Sequence, residues 1–173
     1  TDEFVVYEGL KEQFIIALPQ GWIAYDQNAV ITQKPSSFGV VVFSPFNFAG
    51  SDIEKQLEAM SKIDTGELPS FFVDRSPAKK EMSCSGFSEK AKKDVVKILG
   101  KDAMFGKGGK VLEPLHADTT SIGGCKAIRI KGRAQKATGT ESVMDVYAVS
   151  DGKTLYLFSL RNILKQRRSS NYH

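Results

Sequence analysis

Short runs of apolar and β-branched residues, each closed by turn residues, dominate the first 45 positions of the chain. Residues 14–18 are continuously apolar and end in a Pro-Gln-Gly turn. Residues 30–32 form a short β-branched piece, and residues 39–43 form a longer one that ends at Ser44 and Pro45. Apolar runs of this length between turn signals are typical of buried strands. The first quarter of the chain therefore predicts three strands.

The middle of the chain changes to helical spacing. Ser51, with Glu54 three residues later, forms a capping box in front of apolar residues that recur every three or four positions, which predicts a helix over residues 51–63. Ser88 precedes a second such stripe, whose lysines fall largely on the opposite face, and Gly100 fits the position just after the helix. The pattern therefore predicts two amphipathic helices.

Two segments between these elements carry weaker signals. Residues 71–73 fit either a helical turn packed on the core or a short strand, and Pro77 interrupts whichever forms. Glycines at 106, 108 and 109 mark a loop, but they lack the Gly-Lys-Ser/Thr ending of a phosphate-binding loop. The second segment is therefore interpreted as a connector.

The last third of the chain is rich in strands again. A Gly-Gly pair at 123–124 predicts a hairpin turn before residues 126–131, which largely alternate polar with apolar. Residues 143–149 and 155–160 predict two more strands, and Asp-Gly at 151–152 between them favours a type I′ turn. Strands, then helices, then strands favour an α+β fold with an antiparallel sheet over a parallel doubly wound sheet. We expect one domain over residues 1–173.

Composition and charge narrow the class of protein. The chain has 173 residues, of which 41% are hydrophobic and 25% charged, and its net charge is +4. No apolar run approaches the ~20 residues that a transmembrane helix needs. The densest basic group lies near the C-terminus and could dock an acidic protein or an anionic lipid surface, or could form a frayed tail. Its residues are Arg161, Lys165, Arg167 and Arg168. Aromatic residues do not alternate with these cations, which argues against nucleic-acid binding.

Cysteine and histidine usage predicts no metal site. The only cysteines are Cys84 and Cys125, and the only histidines, His116 and His173, are far apart. Structural zinc needs four such ligands, so we expect no metal and no cofactor. The two cysteines would form a disulfide in an oxidising compartment and remain two buried thiols in a reducing one.

No catalytic motif stands out. His116 is isolated, and no Gly-x-Ser-x-Gly elbow accompanies it, so we predict no catalytic residue. Carboxylates that meet only in the folded protein stay open as an alternative, and they would make the protein a small hydrolase or ligand-processing enzyme.

The order of the short motifs resembles the PsbP-like superfamily. Phe-Val-Val-Tyr at 4–7 and Phe-Ile-Ile-Ala-Leu-Pro-Gln-Gly-Trp at 14–22 are similar to the opening hairpin of that family. Val-Leu-Glu at 111–113, with the Gly-Gly turn and the strand after it, is similar to its middle strands. Asp-Gly-Lys-Thr-Leu-Tyr at 151–156 is similar to its last hairpin. Together these motifs cover roughly half of the chain.

The resemblance implies an α/β/α sandwich around a central antiparallel sheet. It also implies binding or assembly work without catalysis, and export to a bacterial periplasm or cell envelope, with a thylakoid lumen as the alternative. Residues 63–109 are longer and more helical than in the family, and the C-terminal segment lacks its amphipathic pattern. No photosystem role and no metal site are therefore carried over.

Overall fold

The structure is a computed structural model that describes residues 4–8, 15–26, 38–65, 67–99, 110–135, 139 and 141–159. Two helices are described, α1 (Ile53–Thr65) and α2 (Glu89–Leu99). The first strands are β1 (Phe4–Glu8), β2 (Ile15–Pro19), β3 (Ile23–Asp26), β4 (Gly39–Ser44), β5 (Phe71–Pro77) and β6 (Met82–Ser83). The others are β7 (Gly86–Phe87), β8 (Lys110–Val111), β9 (His116–Ile122), β10 (Cys125–Gln135), β11 (Glu141–Ser150) and β12 (Thr154–Ser159).

Eight of these strands form one sheet in which every pairing is antiparallel. Its order is β3-β4-β5-β12-β11-β10-β8, and β9 pairs with the same edge of β10 as β8 does. The pairs β1–β2 and β6–β7 form two separate hairpins. The predicted α+β class with an antiparallel sheet is confirmed.

Both described helices lie on one face of the sheet, called the first face here. Residues directly opposite each other in neighbouring strands project to the same side. One such row crosses the sheet through Val42, Phe72, Ser159, Val146 and Ile130. The core cluster of α1 contains the first of these residues and the core cluster of α2 contains the last two.

The opposite side, called the second face, is covered in part by the β1–β2 hairpin. Leu18 of this hairpin packs in one buried cluster with Val41, Phe43 and Val73 of the sheet. Side chains alternate along each strand, so Val41 and its neighbour Val42 must point to opposite faces. The same strand therefore contributes to a buried cluster on each face of the sheet.

The two predicted hairpin turns both form, with a difference in turn type. Gly123 and Gly124 make a two-residue connection between β9 and β10, and both have positive φ, as a type I′ turn requires. The type I′ prediction for Asp151 and Gly152 was wrong, because Asp151 does not have positive φ and the connection from β11 to β12 has three residues. The Asp151 carboxylate instead accepts the backbone N–H groups of Lys153 and Thr154, each at 2.8 Å.

The sequence predicted the capping residue correctly for α2 and wrongly for α1. Ser88 caps α2, because its Oγ accepts the backbone N–H of Ala91 at 3.1 Å. Ser51 does not cap α1: its hydroxyl donates to the Asn47 carbonyl, and the cap is Asp52, whose Oδ1 accepts the N–H of Lys55 at 2.9 Å. The α1 helix therefore begins and ends two residues later than predicted.

Several predictions fall outside the described residues. These are the strand at 30–32, the helix stop at Gly100, the glycine loop at 106–109 and the C-terminal basic group. Residues 71–73, which the sequence left open, belong to strand β5, and Pro77 is its last residue. No helix of the described ranges is long and apolar enough to span a membrane.

Candidate functional site

A row of three cations runs along β10 on the second face of the sheet. Arg129, Lys131 and Arg133 occupy alternate positions of this strand. Ile128 and Ile130, at the other set of positions, are buried on the first face. Side chains alternate along a strand, so the three cations project to the same side. We call these three residues the cation row.

The first member of the row is fixed by a buried carboxylate. The Nε and Nη2 atoms of Arg129 donate to the two carboxylate oxygens of Asp145 at 2.8 and 2.6 Å, and only 7% of the Asp145 side chain is exposed. The guanidinium also lies 5.2 Å from the ring centroid of Tyr147. Hydrogen bonding to Asp145 raises the pKa of Arg129 above its usual range. Arg129 is therefore a permanent cation held in one orientation.

The last member of the row is held between two glutamates. Nη1 of Arg133 donates to Glu113 at 2.9 Å, and Nη2 donates to Glu141 at 2.6 Å. The hydrogen bond to Glu141, followed by that to Glu113, raises the pKa of Arg133. Arg133 is thus clamped from both neighbouring segments of the chain.

The position of Glu113 depends on a break in the edge of the sheet. β9 pairs with the first part of β10 and β8 pairs with its last two residues, so the chain between them turns next to Gly132. A Cβ atom on Gly132 would overlap the side chain of Leu115. The missing side chain thus lets residues 112–115 lie close to β10, beside Arg133.

The central cation, Lys131, is exposed and has no ion pair with any residue that the structure describes. It lies opposite His116 in the β9–β10 register. The groove around it encloses about 400 Å³, and its walls include Pro114 and Val143. Three cations and two carboxylates line this groove, and both carboxylates are bound to arginines. Glu141, the second partner of Arg133, brings the carboxylates to three and balances the three cations, so Lys131 differs from the arginines only in that no described carboxylate is bonded to it.

His116 does not complete a catalytic arrangement in the described part of the chain. It is exposed, and none of its described neighbours is a carboxylate or thiol bonded to it. Among the described residues, no group of three or more His, Cys, Asp or Glu side chains is placed to hold a metal ion.

Cys84 and Cys125 are brought together at bonding distance. Cys84 lies in the turn between β6 and β7, Cys125 is the first residue of β10, and their Sγ atoms are 2.07 Å apart. The backbone N–H of Lys126 also donates to the Cys84 carbonyl at 2.9 Å. The small hairpin is thus attached to the start of the strand that carries the cation row.

A larger cavity of about 540 Å³ lies between this hairpin and the start of α2. Its three serine hydroxyls are already paired within the wall. The Ser83 and Ser85 hydroxyls are 2.7 Å apart, and Ser88 donates to Glu81 at 2.7 Å. The cavity therefore offers a ligand fewer available hydrogen-bonding groups than the number of polar residues in its wall indicates.

The sequence interpretation chose a different basic group. Arg161, Lys165, Arg167 and Arg168 lie outside the described residues, so the structure does not place them. The cation row was missed, although Arg129 and Lys131 occupy alternate positions of the strand predicted over residues 126–131 and Arg133 follows at the same spacing. The clamping carboxylates could not have been found, because they come from β11 and from the turn before β9.

Comparison with known proteins identifies the fold. No protein-family profile matches the chain, and no curated protein matches it. The structure is similar to the solution structure of cyanobacterial PsbP (CyanoP) from Synechocystis sp. PCC 6803, with a TM-score of 0.54. The match covers 93% of this chain and 81% of that chain.

The chain has the PsbP-like fold. The predicted resemblance is thereby confirmed for the α+β fold, with its opening hairpin and central antiparallel sheet. The predicted α/β/α layering is seen only in part, because both described helices lie on the first face. The two PsbP-like chains share 17% sequence identity. At that level the likeness concerns the fold and transfers no residue role.

Proposed function

We propose that this protein is a non-catalytic, exported binding or assembly module of PsbP-like fold, which docks an acidic partner on the cation row of β10. The observation that carries the proposal is the position of Lys131. It is an exposed cation that pairs with no described residue, and it lies between Arg129 and Arg133, which are both held in place by carboxylates. An acidic side chain of a partner would form with Lys131 the ion pair that no described carboxylate makes.

The two arginines make the site rigid before a partner arrives. Arg129 uses Nε and Nη2 for Asp145, and Nη1, which bonds no described residue, could donate to a partner. Side chains already held by their neighbours lose little conformational entropy on binding. Complementary charge also raises the association rate and selects among partners. These properties suit a docking surface better than a reaction centre.

The C-terminal cations are a second basic group of the chain, outside the described residues. Arg161, Lys165, Arg167 and Arg168 follow β12, which is the neighbour of β11 in the sheet. A second basic group on the same chain would strengthen attraction to an acidic protein or an anionic surface through the summed charge.

The pairing of the two cysteines supports export. Disulfides persist in oxidising compartments and are rare in a reducing cytosol. Cys84 and Cys125 lie together although 41 positions separate them. We therefore propose the bacterial periplasm or cell envelope as the site of action, with a thylakoid lumen as the alternative.

The alternative function, a small hydrolase using carboxylates assembled by folding, has less support. Such an enzyme needs at least two carboxyl groups facing one cleft with perturbed pKa values. Asp74 has a pKa raised by burial, but it lies on the first face, whereas the carboxylates of the groove are bound to Arg129 and Arg133.

A charge-reversal pair tests the proposal. The full chain is titrated with a deca-glutamate peptide, and binding is followed by NMR and calorimetry at low and high salt. We expect shift changes at residues 116 and 129–133 and affinity that falls with added salt. Lys131→Glu should weaken binding at least tenfold. Lys126→Glu makes the same charge change on the opposite face of the same strand and should have little effect. Equal losses in the two variants, or the absence of salt-dependent binding, would contradict the proposal.

A further inference from the structure

At the edge of the sheet far from the cation row, the last described strand is β3. β3 pairs with β4 on one side and with no described strand on its other side. A strand edge exposes a row of N–H and C=O groups that can accept a further strand. Natural proteins usually cover or charge such edges, but β3 has the sequence Ile-Ala-Tyr-Asp, in which only the last residue is charged.

An apolar side of α1 lies next to this edge. Ile53 is 74% exposed and Leu57, one helical turn later, is 66% exposed, so both project away from the core that α1 covers. Ile23 of β3 is 40% exposed and lies two residues before Tyr25, whose ring stacks on Phe48 beneath the helix. Ile23 and Tyr25 project to the side of the sheet on which α1 lies, and Tyr25 lines one groove together with Ile53 and Leu57. We call these four residues the apolar patch.

A small groove runs between the helix and the strand. It encloses about 120 Å³ and is bounded by Tyr25 and Phe48 on the sheet side and by Ile53, Leu57 and Met60 on the helix side. A groove of this size is suited to one apolar side chain at a time. An open edge next to an apolar helix is the arrangement in which extended peptides bind by strand addition, since the edge supplies hydrogen bonds and the groove supplies side-chain specificity.

The charges on α1 indicate whether a segment bound in the groove should be acidic or basic. Lys55 lies 3.9 Å from Asp52, and Lys62 lies 3.0 Å from Glu58, so both lysines have an acidic neighbour. Glu54 is exposed, adjoins Ile53 and makes no ion pair with any described residue. The uncompensated charge at the rim is therefore negative, which favours a basic residue in the occupant.

The area of the patch favours a peptide over a second copy of the chain. α1 has 13 residues, so its exposed stripe measures about 20 Å by about 10 Å. The four residues of β3 add about 14 Å of edge. The patch therefore covers a few hundred Å², whereas a stable dimer buries roughly 800 Å² on each partner.

We propose that this edge groove binds an extended segment of a partner protein, in which apolar residues alternate with lysine or arginine. The segment adds as a strand to β3 and places its apolar side chains against Tyr25, Ile53 and Leu57. This site is separate from the cation row, because it lies at the opposite edge of the sheet and calls for a basic partner segment.

Peptide selection provides the test. A randomised hexapeptide library displayed on phage is selected against the full chain and, in parallel, against the double variant Ile53→Glu and Leu57→Glu. Both changed residues are exposed, so the variant should keep its fold, which circular dichroism checks. We expect the unchanged protein to enrich sequences with alternating apolar and basic residues, and the double variant to enrich none of them.

A selected peptide then locates the site and its mode of binding. It should shift the NMR signals of residues 23–26 and 53–60 and leave those of 129–133 unchanged. N-methylation of alternate peptide amides should weaken binding at least tenfold, since it removes the main-chain hydrogen bonds. Glu54→Lys should weaken binding several-fold, whereas Glu89→Lys on α2 should not. Lys131→Glu should have no effect, which separates this proposal from the one above.

Four outcomes would overturn the inference. They are equal enrichment by the double variant, shifts away from β3 and α1, undiminished binding of the N-methylated peptide, and a dimer in sedimentation experiments that Leu57→Glu abolishes. The third would indicate docking on the helix without strand addition, and the fourth would assign the patch to a second copy of the chain.

Discussion

The Nη2 atom of Arg75 lies 3.1 Å from Oδ2 of Asp26, and the two side chains are 0% and 8% exposed. This buried ion pair joins β5 to β3 across the start of β4. Gly39, which lies opposite Arg75 in the β4–β5 register, has no side chain to obstruct the guanidinium. Arg75 also donates to the Gly39 and Phe38 carbonyls at 3.2 and 3.3 Å. The pair is thus part of the framework behind the open edge strand.

Removing one partner of this pair should destabilise the protein. Asp26→Ala leaves the Arg75 guanidinium buried without its carboxylate, and breaking a buried ion pair in this way costs about 3–5 kcal/mol. The carbonyls of Gly39 and Phe38 keep part of the guanidinium bonded, so the lower end of that range is expected. Urea unfolding measures the free energy. The double change Asp26→Ala with Arg75→Met should recover much of the loss, because no charge remains buried.

An exposed pair supplies the control for this experiment. Glu58→Gln removes the carboxylate that lies 3.0 Å from Lys62 on the surface of α1. Surface pairs are screened by solvent and contribute little, so no measurable change is expected. Equal effects of Asp26→Ala and Glu58→Gln would show that the Arg75 pair has no special role.

Asp74 should make the stability of the protein depend on pH. Burial raises the pKa of its carboxyl group, and the nearby Arg75 opposes this shift only in part. The folded state therefore holds the Asp74 proton more tightly than the unfolded state. Stability is highest below the unfolded pKa and falls as the pH rises through the folded pKa. Asp74→Asn removes the ionising group, so it should stabilise the protein at pH 7.

The test compares unfolding free energies of the two proteins between pH 3 and pH 7. The advantage of Asp74→Asn over the unchanged protein should shrink towards zero as the solution becomes acidic. An advantage that is constant with pH would point to hydrogen bonding of the new amide, and a disadvantage at pH 7 would contradict the effect of burial on the pKa.

Much of the sheet could be predicted because its signals are local. The Gly-Gly pair at 123–124 has no alternative to a tight turn, and the apolar runs before and after it have the length of strands. Strand β5 was harder to predict. Two adjacent apolar residues, Phe71 and Phe72, fit a helical turn as well as a strand, and Pro77 argues against the interior of a strand. Its place at the end of the strand satisfies that restriction.

The candidate sites depend on contacts that no local pattern contains. Asp145 is the single acidic residue among the apolar residues 143–149. Only the β10–β11 register, which sets it opposite Lys131 and diagonal to Arg129, shows that it can bond that arginine. The apolar patch could not be predicted from the sequence for a related reason. Ile53 and Leu57 have the spacing of core residues, and only the rotation of α1 on the sheet shows that Ala59 and Ile63 face the core instead.

The cap of α1 predicts different contributions to stability from two adjacent residues, Ser51 and Asp52. Asp52 accepts the backbone N–H of Lys55, and the Ser51 hydroxyl donates to the Asn47 carbonyl in the preceding turn. Replacing a capping Asp by Ala costs about 1 kcal/mol, so Asp52→Ala should lower the unfolding free energy by about that amount. Ser51→Ala should have a smaller effect. The reverse order in urea unfolding would restore Ser51 as the cap.

The Cys84–Cys125 pairing should contribute substantially to stability. The two residues are 41 positions apart, and a cross-link over a loop of that length stabilises a protein by about 2–4 kcal/mol, mainly by restricting the unfolded chain. The double change Cys84→Ser with Cys125→Ser should therefore lower the unfolding free energy by this amount. A local effect is expected as well, because Cys84 holds the β6–β7 hairpin, whose Met82 is buried in the core cluster under α2.

Chemical reduction separates the contribution of the disulfide bond to stability from the effect of replacing the two cysteine side chains. Dithiothreitol should destabilise the unchanged protein to about the level of the double serine variant and should leave that variant unaffected. Protein secreted through an oxidising compartment should contain no free thiol when it is denatured and titrated. Two free thiols, or stability that is insensitive to dithiothreitol, would contradict the pairing. Either result would also remove the support that the cysteines give to export, because two buried thiols are equally compatible with a reducing compartment.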